Sequence, residues 1–392
     1  MARLITLFIA VAIVHPTFGA VLPRGNEVYT LPIRRSFAHA SSISRRSVYA
    51  RAVGSIPAQS NVVHYTASIG IGTPPTSYDL LIDTNSANTW VGAQKAYVHT
   101  STSTQTADSV SVTYGSGSFS GTEFSDTVTI SPGLVVQSQS IGVASSSQGF
   151  TDCDGILGLG PVDLTLGTLS PSTGSTVPTV VDNLFSQGTI PSNVFSLSFE
   201  PSTSLTSTNG EITFGGTDST KYTGSIAYAP ITATSPARDF WGVDGSFRYG
   251  ASEPILSTTA GSVDSGTTLL LLPTDAFQKY LKATGAVIDK ATGLPKLTSA
   301  QFAKLKSLFI TIGGTTLELT ANACIFPRAL NTQIGGEAGG IYLAFGDLGS
   351  NSGAGLDFIL GLTFLERFYS VYDADNKRVG FATTRFTHAN TN

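Results

Sequence analysis

Cysteine, histidine and charge are all scarce in this chain. Cys153 and Cys324 are the only cysteines among 392 residues. Two distant cysteines exclude a disulfide scaffold and a thiolate metal site, so both are expected as buried free thiols. Charged residues make up 12%, which does not suit a helical bundle. Neither G-x-S-x-G nor H-E-x-x-H occurs, which removes the usual signatures of serine hydrolases and zinc peptidases. His15, His39 and His388 lie in the leader or the tail, and His64 and His99 have no nucleophile motif to serve. No N-x-Ser/Thr sequon is present, and the polar tail excludes a lipid-anchor signal.

Long apolar runs are also missing. Leu4 to Val14 is too short to span a membrane; Arg3 precedes it and Thr17, Gly19 and Ala20 follow. That pattern predicts a secretory signal peptide over 1–20, hence an extracellular protein with no membrane span. Residues 1–52 hold 7 Arg and one acid, Glu27, leaving 15 basic and 25 acidic residues in the remainder, a balance of −10. A nucleic-acid-binding arm is one reading of such a leader. In a secreted chain with an acidic body, a basic pro-segment over 21–52 fits better, and low pH would weaken its attraction to the body. Arg34-Arg35, Arg45-Arg46 and the bond after Arg51 are candidate processing points.

What the chain does have is glycine, 41 residues of it, with dense Ser and Thr. Runs such as VVHYTASIGIG, SYDLLID, SVSVTYGSGSFSGTEFSDTVTI and NVFSLSFE read as short strands between tight turns. Three short helices are predicted: Thr179 to Gln187, stopping at Gly188; AFQKYLKAT, capped by Thr274-Asp275; and AQFAKLKSL, after Thr298-Ser299. Pro201 to Gly210 reads as a surface loop. The length allows two packed domains.

An internal repeat carries the chemistry. LLIDTNS around Asp83 resembles SVDSGTT around Asp264, and each copy has a later echo, Gly155-Ile156-Leu157-Gly158 and Ile359-Leu360-Gly361. Two similar β lobes, each supplying one Asp, would bring two carboxylates to a shared centre. Two carboxylates a hydrogen bond apart cannot both ionise easily, so one keeps a proton. The charged one then takes a proton from a water held between them, and the neutral one donates to the carbonyl under attack. That chemistry requires no metal or cofactor.

These motifs resemble the pepsin-like aspartic peptidases, and look especially like the secreted polyporopepsin-type enzymes of basidiomycete fungi. YGSGSFSG at 114–121, DGILGLGP at 154–161, GEITFGGTD at 210–218 and ILGLTFLERFYSVYD at 359–373 extend the similarity along about residues 53 to 385. The resemblance implies an all-β-dominated, two-lobed fold with few short helices, an N-terminal lobe over 53–225 and a C-terminal lobe over 226–392. It implies Asp83 and Asp264 as the catalytic pair, with Thr84 and Ser265 as hydroxyls locking the two loops. Ser86 and Thr267 would donate to the outer carboxylate oxygens, and Gly266 would let the carboxylates approach. Tyr114, Gly115 and Ser116 would form the tip of a flap, with the Tyr114 hydroxyl pairing with the Trp90 indole. A strand, a Gly-rich turn and a strand is a hairpin in its own right, and a phosphate cradle is excluded because no helix follows.

Three positions depart from the family pattern. Asn85 stands where the second copy has Gly266, and its side chain adds a polar group beside the carboxylates. Leu362 replaces a frequent Asp, and Ser116 replaces an Asp that in some fungal relatives favours Lys before the cleaved bond. The expected preference is therefore for large apolar residues. The expected protein is a monomeric, secreted aspartic endopeptidase made as a zymogen, acting on proteins or peptides. Two alternatives stand beside it: a cleavage-impaired relative that binds peptides, suggested by Asn85, and a carbohydrate-binding or cell-wall protein, suggested by the Ser/Thr content.

Overall fold

The computed structural model describes residues 28–37, 63–115 and 117–392. The expected signal peptide, most of the expected pro-segment, Arg45-Arg46, Arg51 and Ser116 lie outside the described residues. Both cysteines are buried and free.

The first half builds β1 (Tyr29–Phe37), β2 (Val63–Ile71), β3 (Thr76–Asp83), β4 (Trp90–Val91), β5 (Thr104–Thr113), β6 (Ser118–Ser131), β7 (Leu134–Gln148) and β8 (Gly155–Gly158). They belong to a 14-stranded sheet that also takes in Leu169–Ser170, Val194–Phe199, Ser207–Phe214, Thr223–Pro230, Phe368–Asp373 and Arg378–Thr383. A 7-stranded sheet belongs to the second half, centred on Gly242–Tyr249 and Glu253–Val263. Because the chain's last strands return to the first sheet, the two halves are joined by continuous backbone hydrogen bonding as well as by side chains. The fold is the expected two-lobed, β-dominated one.

The sequence repeat has a structural cause. β3, which ends at Asp83, runs parallel to β8; β8 pairs antiparallel with β4, and β4 runs parallel to β7. In the second half, Glu253–Val263 leads to Asp264 and runs parallel to Phe358–Leu360. That strand pairs antiparallel with Leu270–Leu272, which runs parallel to Phe345–Asp347. Each echo is thus the strand beside its Asp strand. Its closing glycine is demanded by crowding: a Cβ on Gly158 would sit 2.5 Å from the Ala87 carbonyl carbon, and one on Gly361 would sit 2.3 Å from the Leu269 oxygen. Both Asp strands become wholly buried toward their ends, as strands paired inside a sheet and covered on both faces require.

Three expectations change. Helix α1 (Val180–Ser186) and helix α2 (Thr274–Thr284) form as read, although Pro273, not Thr274-Asp275, occupies the cap position of the second. The third helix is a single turn, Ser299–Phe302, begun by a Thr298–Gln301 capping box. Its expected continuation is a turn and a short irregular stretch, and its last residue, Leu308, opens the strand Leu308–Ile312, where Leu308, Ile310 and Ile312 alternate into the core. The expected loop Pro201 to Gly210 is partly strand, because Ser207–Phe214 pairs with β1.

β1 itself is the largest surprise, a strand inside the expected pro-segment. It lies between β2 and Ser207–Phe214, turning Leu31, Ile33 and Arg35 inward by strict alternation. The Arg35 guanidinium is 1% exposed and pairs with Glu366 at 2.9 Å. A buried charge of this kind is tolerated because it is paired; stripping one partner typically costs about 3–5 kcal/mol. Arg34 makes an exposed pair with Asp79 at 2.7 Å, of little energetic weight. Since both arginines are held in a paired strand, the 34–35 bond is not accessible to cleavage in this folded state.

His64, opposite Ser36 of β1, is buried with its Nε2 unpartnered. Burial pushes its pKa down from 6.5 to about 4, with Arg34 adding to the depression and Asp152 opposing it. The unfolded chain then binds this proton more readily than the folded one. Stability is full above about pH 6.5 and is lost as the pH falls to about 4. The loss is about 3 kcal/mol, since each tenfold change in proton affinity is worth about 1.4 kcal/mol. Unfolding measured from pH 7 to 3.5 should show His64→Gln losing less stability than the unaltered chain; equal losses would contradict this reading.

Candidate active site

The two repeats deliver their carboxylates with matching partners. Asp83 Oδ1 accepts the Asn85 amide N–H at 2.8 Å, and its Oδ2 accepts the Ser86 hydroxyl at 2.6 Å. Asp264 Oδ1 accepts the Gly266 N–H at 2.7 Å, and its Oδ2 accepts the Thr267 hydroxyl at 2.6 Å. Each turn after its strand therefore presents one backbone and one hydroxyl donor to the carboxylate it carries. The two sets face each other across the junction of the halves. A Cβ on Gly266 would lie 2.9 Å from Asp83 Oδ1 and 3.1 Å from Asp264 Oδ1. Both carboxylates converge on this bare Cα, and only glycine leaves room for them.

Beneath them, two buried hydroxyls cross between the halves. Thr84 Oγ1 donates to the Val263 carbonyl at 2.9 Å and accepts from the Ser265 N–H at 3.0 Å. Ser265 Oγ donates to the Ile82 carbonyl at 2.9 Å and accepts from the Thr84 N–H at 3.1 Å. Four bonds use both hydroxyls and satisfy four backbone groups that the sheets leave open at this point.

Burial dominates the electrostatics. Asp83 is 7% exposed and Asp264 6%. Asp264 is pushed up to about 7, by burial first and by the Asp83 charge second. Asp83 is raised by burial, opposed by the hydrogen bonds from Ser86 and Asn85. Burial and the repulsion between the two charges thus favour a single shared proton on the pair in mild acid, with the Asp83 charge acting to keep Asp264 protonated. Among the described residues no cluster of His, Cys, Asp and Glu is arranged to hold a metal ion.

The expected hairpin is present. β5 and β6 pair antiparallel, and the Tyr114 N–H donates to the Gly117 carbonyl at 2.7 Å to close the turn. Gly115 is exposed at its tip with nothing near its Cβ direction. Tyr114 folds under the turn into a small aromatic cluster with Trp90, Phe119 and Phe150. The Tyr114 hydroxyl and the Trp90 indole nitrogen are buried side by side, as expected, but do not meet in a well-aligned hydrogen bond. The indole is near enough to ease the raised Tyr114 pKa, which burial and then the Asp83 charge push up. Its plane is fixed instead by stacking on Phe119 at 4.2 Å and meeting Phe150 edge-on at 5.0 Å.

Asn85 is accommodated without a strained backbone. It is not among the residues with positive φ, so the left-handed backbone that Asn tolerates is not needed here. Its carboxamide donates through Nδ2 to Ser262 Oγ at 3.1 Å and reaches the Asp264 side of the pair. Sequence reasoning did not single out Ser262, Phe119 or Phe150. Ser262 precedes Asp264 by two residues, and that spacing on a strand is the signal that was available. Leu362 is buried and hydrogen-bonded through its N–H to the Thr267 carbonyl at 2.8 Å, supporting the second turn from below.

Replacing Thr84 by Val keeps the shape and deletes the hydroxyl, leaving the Ser265 N–H and Val263 carbonyl buried and unpaired. Each should cost about 1–3 kcal/mol. Denaturant unfolding of Thr84→Val measures the sum, and an unchanged midpoint would show that the crossed hydroxyls do not hold the halves together.

Comparison with known proteins agrees with this geometry. The family profile described as eukaryotic aspartyl protease matches residues 64–384. Polyporopepsin from Irpex lacteus is 65% identical over 341 residues, covering 87% of this chain and 100% of that one. Rhizopuspepsin-1 from Rhizopus niveus is 33% identical, covering 84% of this chain and 82% of that one. The crystal structure of the aspartic proteinase from Irpex lacteus superimposes with a TM-score of 0.85 at 60% identity, over 93% of this chain and all of that one. The chain belongs to the pepsin-like eukaryotic aspartyl protease family and is an aspartic endopeptidase.

Proposed function

We propose that Asp83 and Asp264 are the catalytic pair of a secreted, monomeric endopeptidase made as a zymogen. The observation that carries the pair is their convergence on the bare Cα of Gly266, with Asp264 pushed up to about 7. In mild acid, charged Asp83 takes a proton from a water lying between the carboxylates as the water oxygen bonds to the scissile carbonyl carbon. Neutral Asp264 gives its proton to the carbonyl oxygen. Collapse of the tetrahedral intermediate breaks the C–N bond; Asp83 returns its proton to the leaving nitrogen, and Asp264 recovers one from the hydroxyl. Protein side chains supply every proton transfer in this scheme, and carboxylate pairs of the pepsin family are the standing example of it.

The remaining residues have supporting roles. Thr84 and Ser265 hold the loops in register, while Ser86, Gly266 and Thr267 fix the carboxylate oxygens. The hairpin carrying Tyr114, Gly115 and Ser116 closes over bound peptide, with Trp90 behind it, and closure excludes water from the reaction. Ser116 brings no charge to the flap, which supports a preference for large apolar residues flanking the cleaved bond. A profile dominated by cleavage after Lys would contradict that preference.

The lobes are read as 53–225 and 226–392, each supplying one carboxylate, so that a single chain completes the site. Secretion rests on the N-terminal sequence, 1–20, and no helix among the described residues is long and apolar enough to cross a membrane. The zymogen reading rests on β1: a segment of the basic leader occupies an interior place in the shared sheet, anchored by Arg35 on Glu366. Acid loosens this region because the buried His64 opposite β1 resists its proton. The cleavage-impaired alternative draws on Asn85 alone; the absence of a positive φ at that residue and its bond to Ser262 support the active reading.

The deciding experiment is digestion of an unfolded protein by the purified, processed chain at mildly acidic pH, with and without a statine-type inhibitor. Inhibitor-sensitive cleavage is expected, abolished in Asp264→Asn and fading as the pH rises through about 7, where Asp264 loses its proton. Cleavage that survives Asp264→Asn would overturn the assignment.

A further inference from the structure

Asn85 and Gly266 occupy corresponding places in the two repeats. Each gives its backbone N–H to the Oδ1 of the Asp two residues before it. At Gly266 the space a side chain would fill belongs to the carboxylates. At Asn85 a side chain is present, and its course departs from the repeat. It crosses from the Asp83 turn to the strand Glu253–Val263, where Nδ2 meets the fully buried Ser262 Oγ at 3.1 Å. Ser262 and Asp264 are two residues apart on one extended segment, so both side chains lie on the same side of it. The Asn85 Oδ1 is buried and has no partner. A primary amide held by its N–H end, with its acceptor stranded, is an oriented dipole fixed beside the carboxylate pair.

We propose that Asn85 is a positioning residue: its carboxamide, anchored on Ser262, straps the Asp83 turn to the strand carrying Asp264 and presents N–H to the Asp264 side of the pair, so that the shared proton is distributed differently from a site with glycine at 85. This rests on the carboxylate-pair reading above and deepens it. The strap lies beside the four bonds made by Thr84 and Ser265 and differs from them in running between two side chains. The electrostatic sign follows from donor chemistry, since an N–H facing a carboxylate favours its charged form. The Asn85 side chain indeed acts to lower Asp264, against burial and the Asp83 charge. The other titratable groups facing the pair are Tyr114, which meets the Asp83 charge from the flap, and Tyr372, which meets Asp264 from the shared sheet; burial raises the pKa of both. Both stay neutral through the working range, leaving the carboxamide as the asymmetric element.

The test is the pH profile of kcat/KM for four proteins: the unaltered chain, Asn85→Gly, Ser262→Ala and the double variant. Removing the carboxamide should move the alkaline limb of the profile upward, on the order of one pH unit, since one charge-assisted hydrogen bond is worth roughly tenfold in a proton equilibrium. Ser262→Ala should move that limb only when Asn85 is present. A merely structural strap would lower the melting temperature and scale the whole profile without moving its limbs, and that result would overturn the proposal. So would an unmoved limb in Asn85→Gly, or a shift on Ser262→Ala that persists in the glycine background. An activity-independent measurement reads the same proton: the pH dependence of statine-type inhibitor affinity by calorimetry, which should shift in the same direction. If neither the chain nor Asn85→Gly cleaves or binds the inhibitor, the carboxylate-pair reading fails with it. If only Asn85→Gly does, the pair stands and Asn85 obstructs it, which refutes the positioning role alone.

Discussion

The structure depends on a crossed pair of hydroxyls. Thr84 and Ser265 each reach into the other half of the molecule, give one proton to a carbonyl there and accept one backbone N–H. The residue before each is the Asp whose carboxylate the site needs. Joining these two turns therefore sets the spacing of the carboxylates, and their spacing in a buried place sets the proton balance between them. Loss of alignment on the order of 1 Å can cost roughly 100-fold in rate, so a site of this kind has little tolerance for play between its halves. The shared sheet adds to this restraint, because the last strands of the chain are hydrogen-bonded into the layer that contains β1 to β3.

Much of this was legible in the sequence, for reasons that can be named. Asp83 and Asp264 stood out because a duplicated motif leaves two copies to compare, and the echoes Gly155–Gly158 and Ile359–Gly361 marked the strands beside them. Close backbone approach forces glycine at Gly158 and Gly361, and such constraints show directly in residue type. Ser86 and Thr267 were legible as the second hydroxyl of each copy, and the β5–β6 hairpin as a strand, a Gly-rich turn and a strand. What was not legible depended on pairing between distant segments. β1 looked like a charged leader because Arg34 and Arg35 concealed the alternation of Leu31 and Ile33, and a buried arginine is intelligible only once Glu366 is seen beside it. The strand Ser207–Phe214 looked like loop at its start because its partner there is β1.

The Tyr114–Trp90 pair illustrates the difference between proximity and geometry. The resemblance placed the two side chains correctly as neighbours, yet the indole also stacks on Phe119, and its N–H and the Tyr114 hydroxyl are not well aligned. Asn85 shows the converse: a residue that departs from the repeat and still finds a partner, because Ser262 lies within reach on the opposing strand.

The central claim is that Asp83 and Asp264 share a proton, and a carboxylate NMR titration of 13C-aspartate-labelled protein tests it most directly. With Asp83 intact, the Asp264 resonance should titrate near pH 7. In Asp83→Asn the repulsive charge is gone, and the same resonance should titrate at clearly lower pH, because the Asp83 charge is one of the causes holding it up. An Asp264 titration that stays in place when Asp83 is neutralised would mean that the two carboxylates do not sense each other, and the account of the site would be wrong.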